Sequence, residues 1–155
     1  MEQSELEQFI LSKTGGGNSD KTTIKHHAHA RHDESGLQRT CVQWFRLQYP
    51  KDAPMLFAVP NGGGRSRIEA AILKAEGVTA GVADLILLEA RGGYGALCIE
   101  MKTRSRSSRQ SPAQKAWQRE AEAHGNRYVV CRTAAEFIEA VDAYMKQPAA
   151  SPGVP

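Results

Sequence analysis

Two short segments that are apolar on both faces of a strand constrain the fold of this chain most. They are residues 82–88, VADLILL, and residues 96–101, ALCIEM. Side chains alternate between the two faces of a strand, so a strand that is apolar throughout must be covered on both sides. We therefore predict two central strands of a sheet with helices packed on both of its faces. No apolar run approaches the roughly 18 residues that a membrane-spanning helix needs.

Caps, turns and apolar spacing predict the other elements. Before the two central strands these are a helix from an Asp33 N-cap to about Gln48, a strand from Met55 to Pro60 and a helix from about Ser66 to Glu76. After them come a helix that the capping box Ser111-Pro112-Ala113-Gln114 opens and that runs to about His124, a strand from Arg127 to Cys131, and a helix capped by Thr133. This order predicts an α/β fold of three layers, in which helices flank a mixed central sheet.

The length of 155 residues, of which 41% are hydrophobic, suits one domain with a single core. We place that domain at residues 33–146. Residues 1–32 lack useful periodicity and are predicted to form a flexible N-terminal arm. Residues 147–155 contain three prolines and are predicted to be a disordered tail.

Three cysteines, Cys41, Cys98 and Cys131, lie far apart within apolar stretches. An odd number in such surroundings is typical of buried thiols in a reducing compartment. The first residues, MEQS, lack the basic and then apolar pattern of a secretion signal. We therefore expect a soluble, cytoplasmic protein.

Three charged residues interrupt the central strands or follow them directly: Asp84, Glu100 and Lys102. A buried unpaired charge is costly, so these are not residues that stability alone would select. Glu100 and Lys102 are two apart and project from one face of a strand, while Met101 points to the other.

The hairpin between the two strands decides whether Asp84 joins that face. A five-residue loop from Arg91 to Gly95 would place Asp84 opposite Lys102, with Glu100 diagonally adjacent. A two-residue turn at Gly92-Gly93 would move Asp84 to the Met101 side. We therefore predict an odd-numbered loop or a bulge.

Two carboxylates, with a main-chain carbonyl such as that of Met101, are hard oxygen ligands suited to Mg²⁺ or Mn²⁺. Such an ion would polarise a phosphoryl oxygen and generate hydroxide, and Lys102 would orient the attacking water or neutralise charge in the transition state. The alternative is a structural one, a buried salt bridge between Lys102 and one of the two acids.

A basic segment follows the second central strand. Residues 102–109 contain Lys102, Arg104, Arg106 and Arg109, and no acid occurs before Glu120. Such a run is often only a solvated loop, but this one begins at a proposed catalytic residue, where a phosphate backbone would lie. The candidate nucleic-acid-binding residues are Arg65, Arg67, Arg104, Arg106, Arg109 and Lys115.

The sequence resembles the virus-type replication-repair nucleases (VRR-NUC), a branch of the PD-(D/E)XK superfamily. The matching residues are Glu34 and Gln38, residues 61–65 (NGGGR), Gly77 and Val78, residues 81–84 (GVAD), residues 99–102 (IEMK), Gln114 and Trp117. One position departs from the pattern: the family usually has proline where this chain has Ala83. Alanine loosens the backbone there but removes no ligand.

The resemblance implies that Asp84 and Glu100 bind the metal, that Lys102 is catalytic, and that Glu34 and Gln114 complete the site. Ordinary explanations exist for the last two, since an acid suits the first turn of a helix and Gln114 is the reciprocal member of a capping box. We interpret Trp117 as a core residue rather than a DNA-stacking one.

The implied function is a metal-dependent endonuclease acting on DNA, with branched or junction DNA as substrate in replication, recombination or repair, and with a homodimer as the active form. A different class of function is a non-catalytic nucleic-acid-binding module that keeps the fold. A nuclease that cuts ordinary duplex at a recognition sequence ranks last, because the chain has no room for a separate recognition domain.

Overall fold

The computed structural model describes residue 8 and residues 29–60, 66–105 and 108–150, without the side chains of residues 29–33. The elements are α1 (His29–Gln48), β1 (Leu56–Ala58), α2 (Arg67–Ala75), β2 (Leu85–Leu87), β3 (Leu97–Met101), α3 (Pro112–Ala123), β4 (Arg127–Cys131) and α4 (Ala134–Met145). A single 3-10 turn, Ala53–Met55, precedes β1.

The four strands form one mixed sheet in the order β1-β2-β3-β4. The β1–β2 and β2–β3 pairs are antiparallel, whereas β3 and β4 are parallel. A parallel pair needs a crossover, and α3 supplies it. The mixed α/β architecture expected from the sequence is confirmed.

Helices pack on both faces of the sheet. On one face, α1 and α4 bury the main core against Leu85, Leu97 and Ile99, with Phe45 and Phe137 among the contributing aromatic side chains. On the other face, α3 packs over a smaller cluster, which consists of Ala83, Cys98, Ala121 and Tyr128 with Trp117 against it. Trp117 is therefore a partly buried core residue, as predicted.

Helix α1 begins earlier than predicted. It starts at His29, so Asp33 lies inside the helix and is not its N-cap. Ala30 and Arg31 have high helix propensity, and nothing between His29 and Asp33 breaks a helix. The last residues of the predicted N-terminal arm are consequently helical.

The start of the predicted C-terminal tail is paired with the β2–β3 hairpin. Ala149 forms a bridge with Arg91, and Gly92 N–H donates to the Pro148 carbonyl at 2.9 Å. Ala150 N–H also donates to the Ala90 carbonyl. Proline cannot donate a hydrogen bond but its carbonyl accepts one, so a proline-rich segment can still line a strand edge. The tail prediction is wrong for these residues, and residues 151–155 lie outside the described chain.

The hairpin contains both a tight turn and an extra residue. Gly92 and Gly93 have φ values of 58° and 86°, and Arg91 pairs with Tyr94 across a two-residue turn. Further along, Leu87 pairs with Leu97, which leaves residues 88–90 opposite residues 95–96. The unequal lengths are the bulge that the sequence analysis offered as one of two solutions.

The register differs from the predicted one by two residues. Leu85 pairs with Ile99, so continuing the ladder by one residue places Asp84 opposite Glu100 rather than opposite Lys102. The five-residue loop was therefore wrong. A shift of two preserves the face, because side chains alternate with a period of two. Asp84 and Glu100 consequently share the face covered by α3.

Among the described helices, none is both long enough and apolar enough to cross a membrane.

Candidate active site

Asp84 lies immediately before β2, where the sheet meets the beginning of α3. Its strand is shorter than the predicted segment 82–88, but the Asp84 carbonyl still accepts from Val59 N–H at 2.9 Å. The Asp84 carboxylate crosses to the next strand, where Oδ2 accepts from Met101 N–H at 2.8 Å. The Met101 side chain points into the main core, as predicted. Main-chain pairing on one side and a side-chain bond on the other therefore fix Asp84.

Glu100 is the one fully buried charged side chain among the described residues. Its Oε1 atom forms an ion pair with Lys102 Nζ at 2.9 Å and accepts a short hydrogen bond from Gln114 Nε2. Its Oε2 atom accepts from Tyr128 Oη at 3.2 Å. The salt bridge between Lys102 and an acid, which was the alternative to a catalytic role, is thus present. It lies beside Asp84, on the same face of the sheet.

The pKa of Glu100 is raised to about 7, mainly by burial and next by the nearby charge of Asp84, although Lys102 and Tyr128 act in the opposite direction. Burial also raises the pKa of Asp84, against the effects of Met101 N–H and Lys102. Two neighbouring carboxyl groups that both resist ionisation form a site that a cation would stabilise.

We expect the metal-free protein to become less stable as the pH rises from 5 to 8. The pKa of Glu100 is about 7 in the folded protein and 4.5 for the free side chain, so the folded state binds more protons between these values. Stability therefore falls as pH rises through this window, by on the order of 1–3 kcal/mol. Urea unfolding in EDTA at a series of pH values measures it.

The Glu100→Gln variant should remove most of this slope, whereas Glu139→Gln, on the exposed side of α4, should keep it. An unchanged slope in Glu100→Gln would contradict the assignment of the proton to Glu100.

Gln114 takes part in a capping box and also contacts the Glu100 carboxylate. Its Oε1 accepts from Ser111 N–H at 2.8 Å, while Ser111 Oγ accepts from Gln114 N–H, which completes the predicted capping box. The Gln114 amide nitrogen is then free to donate to Glu100. The cap therefore orients the side chain that reaches the buried acid, and the N-terminus of α3 faces a carboxylate, which the helix dipole favours.

Gly81 allows the Asp84 loop to approach α3 closely. Its φ is +84°, and a Cβ atom built there would overlap the main chain of Ala113 and Gln114. Only glycine combines this backbone conformation with so close a contact. Gly81 thus allows the loop that carries Asp84 to pack directly against the helix that carries Gln114.

Replacing Gly81 by alanine should destabilise the protein by at least about 2 kcal/mol, because a left-handed conformation and a main-chain overlap add together. Gly93→Ala is the matched control, since Gly93 has φ +86° but open space around it. We expect Gly93→Ala to cost about 1 kcal/mol. Equal losses in urea unfolding would show that the contact with α3 is unimportant.

Glu34 reaches the site from α1 through the basic segment. Its Oε1 accepts from Ser108 Oγ at 2.7 Å and from Thr103 N–H at 3.4 Å. Its charge also raises the pKa of Asp84. Glu34 therefore contacts the basic segment through its Oε1 atom.

The candidate phosphate-binding residues differ in how close they lie to this group. Arg104, Arg109 and Lys115 are exposed. Arg104 and Arg109 directly follow Thr103 and Ser108, which contact Glu34, and Lys115 directly follows Gln114, which contacts Glu100. Arg67 begins α2, and among the described residues no hydrogen bond or ion pair joins it to the site. Arg65 and Arg106 lie outside the described residues.

Tyr128 and Ser108 were missed by the sequence analysis. Tyr128 pairs with Cys98 in the parallel ladder, so it lies diagonally from Glu100. Its hydroxyl also accepts from Gln110 Nε2 at 3.4 Å. A tyrosine in an apolar strand carries no local signal of such a role, because the contact depends on the register between two strands that are distant in sequence.

Comparisons with known proteins agree with this geometry. The chain matches the family model of the VRR-NUC domain over residues 20–135. It is also similar to a solved structure described as a "VRR_NUC domain protein", with a TM-score of 0.65 and 30% sequence identity, covering 75% of this chain and 90% of that one. No curated protein matches it. The chain therefore belongs to the VRR-NUC family of nucleases.

Proposed function

We propose that this protein is a metal-dependent endonuclease that hydrolyses phosphodiester bonds in DNA. The observation that carries the proposal is the fully buried Glu100 carboxylate, which lies 2.9 Å from Lys102 and next to Asp84 in the sheet. Replacing a buried ion pair by apolar side chains is often neutral or stabilising, so the pair is not explained by stability. Because the chain belongs to a nuclease family, we assign these three residues, Asp84, Glu100 and Lys102, to catalysis.

The donor set fits a hard divalent cation. Asp84 and Glu100 provide carboxylate oxygens on one face of the sheet, and burial holds both of their pKa values above the ordinary range. Among the described residues, no third His, Cys, Asp or Glu completes a ligand group with them. Asp84, Glu100 and the main chain of Met101 would hold Mg²⁺ or Mn²⁺, which when bound would polarise the scissile phosphate and favour ionisation of water.

The side chains of the protein perform the remaining tasks. The Lys102 ammonium group stabilises the negative charge that develops on the phosphoryl oxygens, or orients the attacking water. Gln114 and Tyr128 donate to the two Glu100 oxygens and fix the carboxylate's orientation. Arg104, Arg109 and Lys115 bind the flanking phosphates and account for a salt-dependent affinity.

Branched DNA, in particular a four-way junction, is the substrate that we propose within this class. The proposal rests on the family resemblance and on the proposed homodimer, because an enzyme with two-fold symmetry suits a junction with paired strands. Three buried free cysteines fit action in the reducing cytoplasm of a bacterium, on its own or phage DNA.

The decisive experiment compares cleavage of a labelled four-way junction and of linear duplex in Mg²⁺, Mn²⁺ and EDTA. Lys102→Ala should lose cleavage while still binding DNA, whereas Lys51→Ala, on the exposed loop before β1, should cut as the wild type does. Preference for the junction would support the substrate assignment. Wild-type protein that binds DNA but never cuts it would favour a non-catalytic binding module.

Helix α2 supports the proposed homodimer. None of its residues is buried, and Ile68 and Ile72 are 75% and 51% exposed although they lie one turn apart on one stripe. Arg67 and Lys74 flank this stripe on one side, and Glu69 and Glu76 flank it on the other. In a two-fold pair of parallel helices, the basic side of each helix would face the acidic side of its partner.

Replacing Ile72 by glutamate should convert a dimer to a monomer, because the two new charges would meet at the two-fold axis. Light scattering after size exclusion measures this. Ala70→Glu places the same charge on the opposite side of α2 and should leave the mass unchanged. A wild-type protein that is monomeric at micromolar concentration would contradict the dimer.

A further inference from the structure

Arg132 joins the two ends of the basic segment. It lies between β4 and α4, and its Nη1 atom donates to the Thr103 carbonyl at 2.7 Å and to the Ser108 carbonyl at 2.9 Å. These two residues are five positions apart in the sequence, and one guanidinium nitrogen bridges their main-chain carbonyls. Arg132 thus binds main-chain carbonyls, and neither the proposed cleavage reaction nor a contact with Asp84 or Glu100 accounts for this.

Other bonds at the same place make Ser108 the centre of a small network. Ser108 Oγ accepts from Thr103 N–H at 3.0 Å and donates to Glu34, while Ser108 N–H donates to the Ser105 carbonyl at 3.0 Å. The segment is therefore attached to α1 through Glu34 and to the β4–α4 junction through Arg132.

Arg132 is itself held in place. Its main-chain N–H donates to Glu136 Oε2 at 2.6 Å, at the start of α4. The preceding residue, Cys131, accepts from Lys102 N–H at 2.9 Å, which continues the parallel ladder one residue beyond β3. Arg132 therefore connects the end of β4 to Thr103 and Ser108, which follow β3 in the chain.

We propose that Arg132 is a positioning residue that pre-orders the described parts of the basic segment, residues 103–105 and 108–109, so that Arg104 and Arg109 meet DNA phosphates without first being ordered. Binding by a pre-ordered segment avoids the entropy loss of fixing a flexible loop. Arg132 would act through its carbonyl contacts and not through a phosphate of its own. This inference rests on the proposed function in that it takes DNA as the ligand.

Hydrogen exchange in the absence of DNA tests the first step. In Arg132→Gln, the amides of Thr103 and Ser108 should exchange at least tenfold faster, while the Ile99 amide in the central strand should keep its protection. Arg127→Gln is the matched control, because Arg127 lies at the other end of β4, about 16 Å away along the strand, and contacts the Tyr94 ring. Unchanged exchange at Thr103 and Ser108 would overturn the proposal.

A double-mutant cycle of DNA binding tests the second step, with labelled duplex in EDTA so that no cutting occurs. Arg132→Gln should weaken binding at least tenfold and lower the salt slope by about two, whereas loss of one phosphate contact lowers it by about one. In a background of Arg104→Gln and Arg109→Gln, the same change should weaken binding by no more than about threefold.

Equal losses in both backgrounds would mean that Arg132 is an independent charge, and would overturn the proposal. Equal losses in Arg127→Gln and Arg132→Gln would do the same. Protein that binds DNA with the expected non-additivity but never cuts it would refute the nuclease proposal alone. Wild-type protein that does not bind DNA would refute both.

Discussion

Glutamine in place of Glu100 should abolish metal-dependent DNA cleavage and yet leave the metal-free protein at least as stable as the wild type at pH 8. The two effects have one cause. The Glu100 carboxylate is buried beside Asp84, so its ionised form is disfavoured in the absence of a cation, and its pKa is raised to about 7. A neutral amide of the same shape removes that penalty and also removes a charged ligand.

The contacts around Glu100 allow the amide to fit. Its oxygen can still accept from Lys102 and Gln114, and its nitrogen can donate to the Tyr128 hydroxyl oxygen. We expect cleavage to fall at least about a thousandfold, which corresponds to roughly 4 kcal/mol of transition-state stabilisation. Single-turnover cleavage in Mg²⁺ and Mn²⁺ measures the loss, and thermal unfolding in EDTA measures stability.

Glu139→Gln is the control for both measurements, since it makes the same chemical change on the exposed side of α4. Substantial cleavage by Glu100→Gln would remove this residue from the catalytic group. A large loss of stability at pH 8 would show instead that the Glu100–Lys102 pair is mainly structural.

Mg²⁺ or Mn²⁺ should raise the melting temperature of the wild-type protein at pH 8 by about 5–10 °C. A ligand at 100 times its Kd stabilises the folded state by about 2.7 kcal/mol, and 1 kcal/mol shifts the melting temperature of a protein of this size by about 2–4 °C. The physical reason is that a divalent cation neutralises two adjacent carboxylates whose ionisation burial opposes. Removing the metal with EDTA should reverse the shift.

Asp84→Asn and Glu100→Gln should each lose most of this stabilisation, while Glu139→Gln should keep it. NaCl at matched ionic strength separates site binding from general screening. An equal shift in Asp84→Asn and in the wild type would show that the ion acts elsewhere, and the absence of any shift in the wild type would contradict a metal site at these acids.

Local rules of the sequence predicted much of the site. Glu100 and Lys102 share a face because strand side chains alternate, and their ion pair confirms it. The capping box of Ser111 and Gln114 forms as expected, and so does the helix that Ser66 caps. These features depend on residues within a few positions of one another, so the chain can specify them without reference to the rest of the molecule.

The hairpin shows where local rules become insufficient. We expected Asp84 on the Glu100 face, where it lies, but its predicted partner residue was wrong by two positions. Alternation shows which residues of one strand share a face, but it does not determine the value of the register between two strands. The value depends on how a two-residue turn and a bulge combine, and on the pairing of Ala149 with Arg91, which brings in a distant part of the chain.

By itself, the sequence determined the order of the elements, the apolar strands, the caps of α3 and α4 and the shared face of Glu100 and Lys102, because each follows from the spacing of nearby residues. Only the tertiary structure decided that Tyr128 contacts Glu100, that Gly81 meets α3, and that Arg132 joins Thr103 to Ser108. These contacts join elements that are remote in sequence. Their geometry depends on strand register and helix packing, which no local pattern specifies.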